Sequence, residues 1–102
     1  MASRLELQNE LETLLGSDHV YFQPPSSKRL VYPCIIYNLT NISDRRADNM
    51  AYNLNNSYEV TYIDKNPDNT FKTHMIEHFQ KCRFNRFFTN DNLNHYVFIL
   101  YY

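Results

Sequence analysis

The sequence predicts an α+β domain: a four- to five-stranded, mostly antiparallel sheet with an N-terminal helix and a second helix packed against it. Three observations carry this. Leu7, Leu11, Leu14 and Leu15 recur at helical spacing near the N-terminus. From Tyr58 to Asp64 the chain alternates, with Tyr58, Val60 and Tyr62 on one face and Glu59 and Thr61 on the other. Two aromatic-rich runs, Cys82 to Phe88 and Leu93 to Tyr102, flank the turn-forming stretch Thr89-Asn-Asp-Asn92 and read as a hairpin.

The elements follow in order. Ser3 and Glu6 fit a capping box, in which Ser3 accepts from the amide of Glu6 and Glu6 reaches back. The helix then runs from about Arg4 to Leu15, and Gly16, the sole glycine, sits where a C′ residue belongs. It is too short for a coiled coil. His19 to Gln23 reads as a short strand, with Pro24 pushing the residue before it toward extended geometry. Tyr32-Pro33 leads into the strand of Cys34 to Leu39, whose nearly unbroken apolar run predicts burial on both faces.

The segment from Thr40 to Ser57 is rich in Asn and poor in core-filling residues, so a long polar loop is expected there. Asp48 to Leu54 could form a turn of helix within it. Lys65-Asn-Pro-Asp68 is a turn. Asn69 or Thr70 caps a second helix from Phe71 to about Lys81, with Phe71, Met75, His78 or Phe79, and Cys82 as its apolar stripe.

Composition narrows the function classes. A chain of 102 residues is one domain, residues 1–102. It hides roughly 65% of its unfolded surface, so the core is thin and partner subunits would add stability. Ten Lys and Arg against eleven Asp and Glu give a net charge of -1, without the basic excess of a dedicated nucleic-acid binder. Nine Tyr and seven Phe with no Trp suit surfaces that are wet in one state and buried in another. Cys34 and Cys82 read as two buried thiols of a reducing compartment. The N-terminus lacks an apolar signal-peptide core, and no run approaches a membrane span, so no membrane partner is expected.

No catalytic set stands out, and neither an enzyme activity nor a cofactor is expected. His74-Met-Ile-Glu-His78 matches the inverted zinc-protease motif, but a third ligand on another helix does not follow it, and no metal site is expected. Asp64, Asp68 and Asp91 sit at strand ends or in Asn-rich turns, where turn chemistry accounts for them better than acid–base work. One glycine cannot build a phosphate-binding loop. Arg45-Arg46 and Lys28-Arg29 lie in loops and read as solvated clusters or a protein interface. Arg83 and Arg86 interleave with Phe84 and Phe88. That mixture suits either a half-buried strand with Arg stems along apolar surface or a single-strand nucleic-acid platform.

Three stretches together resemble a known family. They are Tyr58-Glu-Val-Thr-Tyr-Ile-Asp-Lys-Asn-Pro-Asp68, Cys82-Arg-Phe-Asn-Arg86 and Asp91-Asn-Leu-Asn-His-Tyr-Val-Phe98. Tyr21-Phe-Gln-Pro-Pro25 and Tyr32-Pro-Cys-Ile-Ile-Tyr37 fit the same pattern. The family is that of the small tail terminator, or tail completion, proteins of long-tailed bacteriophages, also labelled head–tail joining or minor capsid proteins. The resemblance implies a structural virion protein and no catalytic residue. It implies a hexameric ring of identical subunits at the head-proximal end of the tail, assembled in the host cytoplasm. Its partners would be the tail tube protein and a neck or head-completion protein. On this reading the loop at 40–57 makes subunit or tube contacts through Asp44, Arg45, Arg46, Asp48 and Tyr52. Two alternatives stay open: a head-completion or connector protein of the same neck, and a small single-strand nucleic-acid module built on Arg83, Phe84, Arg86 and Phe88. No sequence-specific nucleic-acid partner is expected.

Overall fold

The computed structural model describes residues 4–40 and 57–102. They form α1 (Arg4–Leu15), β1 (Val20–Phe22), β2 (Cys34–Leu39), β3 (Ser57–Asp64), α2 (Phe71–His78), β4 (Cys82–Asn90) and β5 (Leu93–Tyr101). The strands make one five-stranded sheet in the order β1-β2-β3-β5-β4. β1 runs parallel to β2, and the other three pairings are antiparallel. This is the expected α+β architecture.

Both helices pack on one face of the sheet. Leu7 and Leu11 of α1 and Phe71 and Met75 of α2 meet Ile35, Tyr37, Val60, Tyr62, Phe98 and Leu100 from the strands. Aromatic rings fill much of this core. Tyr62 and Phe71 stack with centroids 4.0 Å apart, and Phe98 takes the edges of Phe71 and Phe84. The buried Tyr37 hydroxyl donates to Gln8 Oε1 at 2.5 Å and accepts from Arg4 at 3.1 Å, which ties α1 to β2.

α1 has the predicted bounds, while its proposed cap residue Ser3 lies outside the described residues. Gly16 adopts φ +84, and its amide donates to Glu12 O at 2.8 Å. A Cβ added there meets nothing within 4 Å. Gly16→Ala is therefore expected to cost about 1 kcal/mol from backbone strain alone, read as a lowered urea midpoint with an unchanged slope.

Two local expectations are corrected. Gln23 has φ +46 instead of extended geometry. It closes the β1–β2 ladder twice: its amide donates to Tyr37 O at 3.0 Å, and its side-chain Oε1 accepts from Leu39 N at 3.1 Å. Those two bonds outweigh the steric preference that Pro24 imposes. The second helix ends at His78, three residues before the predicted Lys81, because Phe79 turns extended at φ -101, ψ 130. The physical reason is the sheet: Lys81 O already accepts from Tyr101 N at 3.0 Å, so the helix has to stop first. The apolar stripe is completed by buried Phe79, and His78 points outward.

Turn chemistry is met largely by Asn and Asp. Asn69 Oδ1 caps α2 by accepting from Phe71 N at 3.1 Å, and Thr70 makes no side-chain cap. Asp91 and Asn92 adopt φ +55 and +64, as a two-residue type I′ hairpin requires.

Candidate assembly surface

Among the described residues β4 forms one edge of the sheet and is hydrogen-bonded on one side only, to β5. None of its nine residues is buried. An edge strand this long presents a row of backbone donors and acceptors to any incoming chain. Its side chains are aromatic and cationic: Phe87 is 48% and Phe88 38% exposed, and Arg83 and Arg86 stand out in solvent.

The register slips between Phe84 and Arg86, which marks a bulge at Asn85. Phe84 pairs with Phe98 and so faces the helices, whereas Arg86 pairs with Val97 and faces away from them. Arg83, opposite Ile99, and Phe88, opposite His95, share that face, which is helix-free among the described residues. In an uninterrupted strand Arg83 would oppose the other two. The bulge thus gathers Arg83, Arg86 and Phe88 on one side, and Phe84 and Phe87 on the other.

Each group has defined neighbours. Phe88 stacks on His95 at 4.5 Å, and the Arg86 guanidinium lies 5.7 Å from the Phe88 centroid. Arg86 reaches Glu59 at 3.8 Å, a half-exposed pair of the kind that contributes little to stability. On the core side, Lys72 Nζ sits 4.2 Å over the Phe84 ring, and Phe87 packs on Tyr96 at 4.9 Å. The four residues of the nucleic-acid reading therefore do not share a surface, since Phe84 is half-buried under Lys72.

The helix-free face also holds an open groove of about 360 Å³, lined among others by Leu30, Tyr32, Ile36, Ile63, Phe88 and His95. The segment between β1 and β2, entered by β2 through a cis Tyr32-Pro33 bond, supplies its far wall.

The other sequence candidates fall elsewhere. His78 Nε2 lies 2.9 Å from Glu10 Oε1, and Tyr102 donates a short hydrogen bond to the same carboxylate. His78 thus joins α2 to α1 and is not on the core face. Among the described residues, no group of three His, Cys, Asp or Glu side chains converges. Asp64 accepts from Tyr62 OH at 2.7 Å and from Asn66 N at 3.1 Å, and Asp68 N donates to Asn66 Oδ1 at 3.0 Å. These carboxylates sit in turn networks, and Asp91 is in the hairpin loop. Burial, helped by the Asp64 hydrogen bond, pushes the Tyr62 phenol well up.

Cys34 lies opposite Ile63 on the helix-free face, and Cys82 packs into the core on the other face. Both are free, and burial pushes both thiols up to about 11. They are protonated, unreactive groups at neutral pH. Asp44, Arg45, Arg46, Asp48 and Tyr52, the residues expected to make ring or tube contacts, lie outside the described residues. So does the turn of helix expected at 48–54. The strands flanking that segment meet where Thr40 N and Oγ1 both donate to Ser57 O, at 2.8 and 2.9 Å.

Sequence reasoning missed the grouping on β4, because alternation with period two places Arg83 and Arg86 on opposite faces. Asn85 between two ordinary strand residues carries no bulge signature. Searches of family models, curated proteins and solved structures give no match to this chain.

Proposed function

We propose that this chain is a structural subunit of a long-tailed phage virion. It forms a ring at the head-proximal end of the tail tube, ends tube polymerisation and joins the tail to the neck. The observation that carries the assembly reading is the β4 edge: nine residues with one side unpaired among the described residues, and exposed Phe87 and Phe88. Such an edge is a hazard in a monomer and an asset in an oligomer. The three stretches that carry the family resemblance fall on β3 and its turn, on β4, and on β5 with its hairpin loop. These are adjacent strands ending at the exposed edge, and the stretches Tyr21–Pro25 and Tyr32–Tyr37 extend the resemblance over β1 and β2.

A ring needs a heterologous contact whose rotation closes. The test is to mix the purified chain with growing tail tubes of its own phage and inspect the tube ends by electron microscopy. Capped tubes of fixed length are expected. Tubes that grow on past the added protein, with no density at their ends, would remove the terminator reading.

A further inference from the structure

We infer that the ring contact joins the cationic β4 edge of one copy to an acidic corner above β1 on the next copy. This deepens the ring reading and rests on it only for closure of the ring. β4 carries two arginines and no carboxylate. Arg83 has no ion pair among the described residues, and Arg86 has only the long contact to Glu59. Exposed Lys81 immediately precedes the strand, and Lys72 overhangs Phe84 from α2. Phe88, on the same face as the two arginines, supplies an exposed apolar centre. The occupant of this edge should therefore present carboxylates around an apolar residue.

The same chain has such a patch at the opposite end of its sheet. Leu5, 63% exposed, and Glu12 are seven residues apart on α1 and so lie on one helical row. Gln8 Nε2 donates to both Glu12 Oε2, at 2.9 Å, and Val20 O, at 3.0 Å, which fixes that row beside β1. Asp18, its side chain 88% exposed, follows just before β1. The cations near this patch already have partners, and His19 Nε2 lies 3.9 Å from Asp18 Oδ1. Arg4 is committed to Tyr37 and to the Phe22 ring at 4.5 Å, and Lys28 lies over Tyr21 on the helix-free side of β1.

The strand order places β1 and β4 at opposite edges, so the two complementary patches cannot meet within one copy. They can meet only between copies, head to tail, which is the geometry that generates rings. Charge complementarity of this kind fixes orientation and register more than it fixes affinity.

The test is a charge swap read by light scattering. The wild-type chain at millimolar concentration is expected to show multiples of its 12.3 kDa mass. Arg83→Glu with Arg86→Glu, and separately Glu12→Lys with Asp18→Lys, are each expected to leave monomers whose circular dichroism matches wild type. Mixing the two variants should restore the wild-type mass, because each copy then offers the edge that the other lacks. Wild type that stays monomeric, variants that assemble as wild type does, or a mixture of folded variants that stays monomeric overturns the inference. Tubes capped equally well by wild type and by the arginine variant would overturn it too and leave the terminator reading intact. Assembly that obeys the swap but ignores tubes would do the reverse.

Discussion

Phe98→Ala is expected to lower stability by about 3–5 kcal/mol. Phe98 is fully buried on β5, between Val60 of β3 and Phe84 of β4, and its ring meets Phe71 at 6.5 Å and Phe84 at 5.6 Å. Truncation removes the apolar area and leaves a cavity that β-sheet backbone on three strands cannot close. A small domain has about 5–15 kcal/mol of total stability, so most of the folded population is at stake. Urea unfolding followed by circular dichroism would measure the loss. The exposed Phe87 gives the contrast. Phe87→Ala should shift the midpoint by well under half as much, because its ring gains contact on one side only, from Tyr96. Equal losses at the two positions would mean that β4 is covered and is not a free edge.

The second large effect is alkaline. Burial raises the Cys34 thiol from 9.0 to about 11. A raised pKa means that the folded state favours the protonated form. Its contribution is fully present below pH 9 and is lost as pH climbs through 11. Each pKa unit is worth about 1.4 kcal/mol, so about 2 kcal/mol of stability should be gone by pH 11. Cys34 is fully buried, so solvent screening does not discount the figure. Unfolding curves at pH 8 and pH 11 for wild type and Cys34→Ala would isolate the effect. The variant should lose less stability between the two pH values by that amount, whatever Cys82 and the tyrosines contribute to both proteins. Identical losses in the two proteins would mean that the thiol ionises without penalty and that β2 opens to water.

Much of the fold was legible because its local rules agree with its packing. The Leu7–Leu11 stripe with Gly16 set α1. Period-two alternation set β3. Asp91-Asn92, two residues tolerant of positive φ where glycine is scarce, set the last hairpin. These signals depend on neighbours within a few positions, so a reading of local pattern reaches them. Gln23 and the early end of α2 were not legible, since in both cases a strand distant in the chain takes the hydrogen bonds that decide the backbone.

The candidate site divides along the same line. Composition alone gave a polar, aromatic, weakly charged chain, and the cationic residues Arg83 and Arg86 were visible as such. Their common face was decided only in three dimensions, by a one-residue bulge against β5 that reverses the facing of every later side chain on β4. Likewise, the residues of α1 set its charge, but only the order β1-β2-β3-β5-β4 puts Glu12 and Asp18 at one edge and the arginines at the other. Local sequence determines what each segment is. Which segments become edges, and which charges face each other across a copy, depends on pairing between segments far apart in the chain, and short-range periodicity holds no record of it.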